Sequence, residues 1–163
     1  MIYFEKVEKY KNDKSINIPQ RQTYDSIAYD FEAAEDTVIP SLFQQVWDNI
    51  TKLEPIAIKP YLVKTGIKAD FPRNTGLFIA NRSGGPKKGL VLANSIGVID
   101  SDYYCNPDND GEIAFAFYNF SLKSLVIKKG ERIGQGWFTK IQYVTNDQPV
   151  KKMRESGFNS TGD

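Results

Sequence analysis

Histidine is absent from the 163 residues, and cysteine occurs once, at Cys105. The first absence removes the Ser-His-Asp triad, the Cys-His dyad and histidine-ligated zinc. The second removes internal disulfides and cysteine-based zinc clusters. Acid–base chemistry is left to Asp, Glu, Lys and Tyr. A metal would be a hard ion on oxygen ligands, with Mg2+ first in line. No apolar run approaches the length of a membrane span, and the charged opening MIYFEKVEKYKND lacks a signal-peptide core. Nor does one sign of charge dominate: 21 basic residues face 20 acidic ones, for a net charge of +1. That gives no global field for nucleic acid or an anionic membrane. Together these absences describe a soluble, cytoplasmic protein with neither partner.

The length suits one domain, 1–163, large enough to bury a core without staples. Short segments rich in β-branched and aromatic residues fall at 61–67, 76–80, 89–93, 113–118, 124–127 and 137–144, separated by Gly, Pro, Asn and Asp. Strands at roughly ten-residue spacing predict an all-β jelly roll, sandwich or barrel. One segment departs from this. After Pro40 and a candidate N-cap, Ser41, the apolar residues Leu42, Phe43, Val46, Trp47, Ile50 and Leu53 form one stripe of an amphipathic helix over about 41–53. That stripe is expected to cover one end of the β-structure, with Gln44, Gln45, Asp48 and Lys52 in solvent.

Several local patterns carry possible chemistry beside a plain structural meaning. Residues 82–89, Arg-Ser-Gly-Gly-Pro-Lys-Lys-Gly, are either a solvated turn or a loop offering N–H groups, a hydroxyl and charge to phosphates. Gly97-Val-Ile-Asp-Ser-Asp-Tyr103 is either a strand closed by an Asp-Ser-Asp turn or a carboxylate base at a rigid strand end beside an aromatic platform. Asn94 is a turn residue or an amide for a nucleobase edge. Gln135, after the Gly130 turn, is an ordinary strand residue or a phosphate donor. Asp30, in Tyr29-Asp-Phe31, is a polar position on an alternating strand. The tail, with Arg154, Phe158, Ser160 and Thr161 between glycines, is a frayed end or a flap that stacks a base and wraps phosphates.

Their order is more specific than any one of them. Tyr-Asp, then Arg-Ser-Gly, then Asn-x2-Gly-Val-Ile-Asp-Ser-Asp-Tyr, then Gly-Glu-Arg-Ile-x-Gln, then Arg-x2-Gly-Phe-x-Ser-Thr-Gly resembles the five-motif series of the trimeric dUTPases, from about Gln20 to Asp163. The phrases Leu-Ala-Asn-x2-Gly-Val-Ile-Asp and Asp-Tyr-Tyr-x-Asn-Pro-Asp-Asn resemble the Gram-positive bacterial and phage branch. The resemblance implies a jelly-roll homotrimer with sites at subunit interfaces, each closed by a C-terminal arm, about 145–163, from a neighbour. It implies Mg2+-dependent hydrolysis of dUTP to dUMP and pyrophosphate.

By position, the resemblance makes Asp100 the base that activates water. Asn94, Gly97 and Ile99 line the uracil pocket, and Tyr103 lies against the deoxyribose. Arg82, Ser83, Gly84 and Gln135 hold phosphates, and Asp30 holds Mg2+ through a water. Phe158 stacks on uracil while Arg154, Ser160 and Thr161 bind the terminal phosphates. Two departures stand out: Ser156 and Asn159 flank Gly157-Phe158 where the family has glycines, and residues 104–110, with Cys105, are an insertion. Two further classes remain open at this point. One is a regulatory protein that engages a repressor through such a scaffold, and the other is a dCTP deaminase, whose motif series fits poorly.

Overall fold

The computed structural model of the protein describes residues 1–149. Eleven strands and two short α-helices are present among them. The strands are β1 (Tyr3–Lys6), β2 (Tyr29–Glu32), β3 (Thr37–Ile39), β4 (Tyr61–Lys64), β5 (Ile67–Asp70), β6 (Thr75–Asn81), β7 (Leu90–Leu92), β8 (Ile96–Ile99), β9 (Ala114–Asn119), β10 (Leu125–Ile127) and β11 (Arg132–Lys140). Helix α1 spans Leu42–Thr51 and α2 spans Gly84–Lys87.

The strands form four sheets: β1-β5, β10-β3, β2-β11-β6-β8 and β4-β9-β7, every pair antiparallel. The expectation of a mostly β protein with one substantial inserted helix holds, but no sheet among the described residues closes into a barrel. Between the sheets lie Phe31, Ile39, Val63, Leu77, Ile79, Phe115, Phe117 and Ile127, all nearly inaccessible. Aromatic edges knit the layers, with Phe4 5.4 Å from both Phe31 and Phe138.

Three boundaries differ from the sequence reading. The run 61–67 is two strands in two sheets, because Gly66 turns the chain at φ +70°. The last strand begins at Arg132 and stops at Lys140, not 137–144. Its early start follows from Gly134, where a Cβ would stand 1.9 Å from the Phe115 ring. The strand expected after the Gly130 turn and the one expected from 137 are therefore a single strand, passing under a core aromatic.

Helix α1 corrects a larger expectation. Ser41 caps it as the sequence suggests, its hydroxyl accepting from the Gln44 N–H at 3.0 Å. Yet Phe43, Trp47 and Ile50 are more than half exposed, whereas Gln45 is buried. The helix is held by polar bonds rather than by its apolar stripe, since Gln45 Oε1 accepts from the Lys59 N–H at 2.9 Å. Periodicity located the helix correctly and oriented it wrongly.

Candidate active site

The four-stranded sheet carries most of the singled-out residues. Asp30 lies on β2 opposite Gln135 of β11, so the two share a face. Arg82 follows the last residue of β6, and Ser83 leads into α2. Arg82 Nε donates to Asp30 Oδ1 at 3.1 Å, and Arg132 Nη1 lies 3.4 Å from Oδ2. Gln135 Nε2 donates to the Asn81 carbonyl at 3.1 Å, bracing the chain where it turns into residues 82–89. Asn81 Nδ2 donates to the Leu90 carbonyl and ties the far end of that loop. Apart from its chain neighbours and its own helix backbone, nothing among the described residues comes within 4 Å of where a Gly84 Cβ would stand, so the space there is open.

Arg132 was not singled out in the sequence, although it sits in the same motif as Gln135. It reaches Asp30 because of a bulge. Between Arg132 and Gly134 the register with β2 shifts, with one extra residue on β11. Regular alternation would put Arg132 and Gln135 on opposite faces, and the bulge brings both to Asp30.

Asn94, Gly97, Ile99, Asp100 and Tyr103 belong to the β7–β8 turn, β8 and the 3-10 turn after it. Gly97 is flush against β6, and an added Cβ would stand 2.5 Å from Ile79 Cγ1 and 3.4 Å from Asn94 Nδ2. The left-handed position in the turn is Ser95, at φ +59°, rather than Asn94. Asp100, exposed, precedes the turn Ser101–Tyr103, and its carbonyl accepts the Tyr103 N–H at 3.1 Å.

These two groups stand at opposite ends of one strand. β8 runs antiparallel to β6, with Ile99 opposite Leu77 and Ile96 opposite Ala80. Asp100 therefore falls beside the start of β6, while Arg82 follows its end. Five to six residues at about 3.3 Å each put roughly 16–20 Å between them. Arg154, Phe158, Ser160 and Thr161 lie outside the described residues.

Residues 14–162 match the dUTPase family. A deoxyuridine 5'-triphosphate nucleotidohydrolase of Lactococcus lactis subsp. lactis (strain IL1403) is 44% identical over 161 residues, 98% of this chain and 96% of its own. The chain belongs to the dUTPase family. A crystal structure of dUTPase from Streptococcus mutans superposes with a TM-score of 0.74 at 34% identity, covering 88% of this chain and 99% of that one. The dUTPase of Staphylococcus bacteriophage 80alpha, at 18% identity, shares the fold with a TM-score of 0.65 over 93% and 97% of the two chains. The activity of this family member is hydrolysis of dUTP.

Family membership implies use of Mg2+. Among the described residues no three Asp, Glu or Cys side chains gather into a metal cage. A cleft of about 230 Å3 beside Asp30 is lined by Asn17, Gln20, Gln22 and Glu32 as well, all oxygen donors. Two carboxylates, Asp30 and Glu32, among amides suit an ion that keeps waters and takes its remaining ligands from phosphates. Likewise, no helix among the described residues is long and apolar enough to cross a membrane.

Proposed function

We propose that Asp100 activates the water that opens dUTP, in a site completed by a second copy of the chain. The water oxygen forms a bond to the α-phosphorus, its proton passes to the Asp100 carboxylate, and the bond from that phosphorus to the bridging oxygen breaks. The products are dUMP and pyrophosphate. Asp100 stands directly after the paired strand β8, which places its carboxylate to take the water's proton as general base.

The observation that carries the composite site is the separation along β6. Asp100 with its uracil-side neighbours and Arg82 with its phosphate-side neighbours are too far apart within one chain to grip one small reaction centre. In a jelly-roll homotrimer, a neighbour's Arg82 loop would meet this Asp100. The exposed apolar residues of edge strand β8, Ile96 and Val98, fit packing against another copy.

On this reading Asn94, Gly97 and Ile99 form the uracil pocket. Gly97 lets β8 lie flush on Ile79, where a Cβ would stand 2.5 Å from Ile79 Cγ1, and so shapes the floor of that pocket. Uracil presents a donor between two acceptors, and a pocket satisfying that pattern leaves groups unpaired against cytosine. Tyr103 closes the sugar side against a 2'-OH. Arg82 gives its Nε edge to Asp30, which leaves its two terminal nitrogens as a fork for phosphate oxygens. Ser83, Gly84 and Gln135 line the same end. Mg2+, held through water by Asp30, would neutralise phosphate charge. From the tail, Phe158 would cover the base, and Arg154, Ser160 and Thr161 the terminal phosphates.

A second reading, compatible with the first, is regulation through a protein partner such as a repressor. Its support is the exposed Phe43, Trp47 and Ile50 face of α1, together with phage dUTPases described as controlling transfer of virulence genes.

Subunit complementation tests the composite site. Asp100→Asn and Arg82→Ala chains, each inactive alone, should regain pyrophosphate release from dUTP when refolded together. No recovery, with mixed oligomers demonstrated, would show that one chain supplies both groups. Pyrophosphate release from dUTP but not from dCTP, dTTP or UTP checks the pocket.

A further inference from the structure

Residues 104–110 are an insertion without a role in the reading above, yet they hold Tyr103 at both ends. The Tyr103 hydroxyl donates to the Glu112 carbonyl at 3.0 Å and accepts from Asn109 Nδ2 at 2.7 Å. The Tyr103 carbonyl accepts from Asn106 Nδ2 at 2.8 Å. The two asparagines are locked to each other. Asn106 Nδ2 also donates to Asn109 Oδ1 at 2.8 Å, and Asn106 Oδ1 accepts the Asn109 N–H at 3.1 Å. Asn106 is 5% exposed, so these bonds compete with little water.

The segment is itself fastened to the body. Asp110 accepts from Lys68 Nζ at 2.8 Å and from the Glu8 N–H at 2.8 Å. Lys68 Nζ also reaches Cys105 Sγ at 3.2 Å, and the Tyr104 hydroxyl donates to Glu5. The backbone adopts positive φ at Cys105, Asp110 and Gly111, and a Cβ on Gly111 would stand 2.7 Å from the Tyr103 carbonyl oxygen. Such backbone persists only where its surroundings over-determine it, and here the surroundings converge on one tyrosine.

We propose that Asn109 is the positioning residue for Tyr103, and that through it the 104–110 insertion sets how strictly the site rejects ribonucleoside triphosphates. The inference rests on the sugar-side place of Tyr103 given above. A ring pinned through its hydroxyl and its carbonyl cannot tilt to admit a 2'-OH. Without Asn109 the hydroxyl keeps only its bond to the Glu112 carbonyl, and the ring gains room to tilt. Asn109 touches no substrate; it acts on the Tyr103 phenol directly and on the Tyr103 carbonyl through Asn106.

The test compares kcat/KM for dUTP and for UTP in wild type, Asn109→Ala, Tyr103→Phe, the double variant and Tyr103→Ala, with thermal melting to confirm folding. Asn109→Ala should lower the dUTP-over-UTP preference about tenfold. Tyr103→Phe removes that bond together with the one to the Glu112 carbonyl and should lower the preference at least as far, and the double variant should be no worse than the poorer single. Equal losses on both nucleotides, leaving the ratio unchanged in Asn109→Ala while Tyr103→Ala relaxes it, would overturn the role of Asn109 and leave that of Tyr103. A ratio unchanged even in Tyr103→Ala would overturn the sugar-side reading and this inference with it.

Discussion

Arg82 donates from Nε to Asp30 Oδ1 at 3.1 Å, across 52 residues of sequence. The Asp30 side chain is 10% exposed and that of Arg82 34%, so the pair sits at the rim of the fold rather than in open solvent. Its consequence is directional: the carboxylate takes one edge of the guanidinium and aims the other outward. The other Asp30 oxygen, Oδ2, lies 3.4 Å from Arg132 Nη1. On the proposed reading Asp30 would have two services to perform, aiming arginine and holding Mg2+ through a water.

The two services separate experimentally. Asp30→Ala frees Arg82 and Arg132, and kcat/KM for dUTP should fall by about 10- to 100-fold. Asp30→Asn still offers an oxygen to Nε and should lose less. If aiming dominates, the Mg2+ concentration giving half-maximal turnover stays put in Asp30→Asn. A large upward move of that midpoint would assign the residue chiefly to the metal.

Asp100→Asn should lower kcat by about 10²–10⁴-fold, the usual worth of a positioned general base. The side chain is exposed, so the melting temperature should change little. Steady-state pyrophosphate release measures the first quantity. A defect confined to KM would remove Asp100 as the base.

Gly134→Ala should destabilise the fold by about 1–3 kcal/mol, because its methyl would overlap the Phe115 ring and the core must shift. Urea unfolding followed by tryptophan fluorescence reads this as a lower midpoint. An unchanged midpoint would mean that Phe115 moves aside freely.

The anchor of the insertion has a pH signature. Burial pushes the Asp110 carboxyl upward, but the Lys68 ammonium and the Glu8 N–H outweigh it and hold the group below the ordinary aspartate value. Its contribution to stability is present above that ordinary value, 3.8, and is lost as pH falls below it. Asp110→Asn should therefore melt at a lower temperature than wild type near neutral pH, with the gap closing under acid. A gap independent of pH between 6 and 3 would rule out the ion pair as its source.

Much of this fold was legible locally. Strand segments at 76–80, 113–118 and 124–127 announced themselves by composition, and Ser41 announced the start of α1, since side-chain preference and capping act over a few residues. The order of the motifs was legible for the same reason, as each is a contiguous phrase. The division of 61–67 between two strands was not, because a single Gly66 at positive φ outweighs its strand-forming neighbours. Which side of α1 faces the body was not either: amphipathic periodicity states that two faces differ, not which one finds a partner.

By itself, then, the sequence determined the family, the β-rich class and the kind of chemistry open to a chain without imidazole. A carboxylate base and a hydrated hard ion were what composition left, and Asp100 and Asp30 were named from it and from motif order. Only the tertiary structure decided which residues act on one another. The antiparallel register of β6 and β8 separates Asp100 from Arg82, the β11 bulge brings Arg132 to Asp30, and the 104–110 turn delivers Asn109 to the Tyr103 hydroxyl. Those relations come from strand direction, register and loop closure, which join residues far apart in the chain and leave no mark in any short stretch of it.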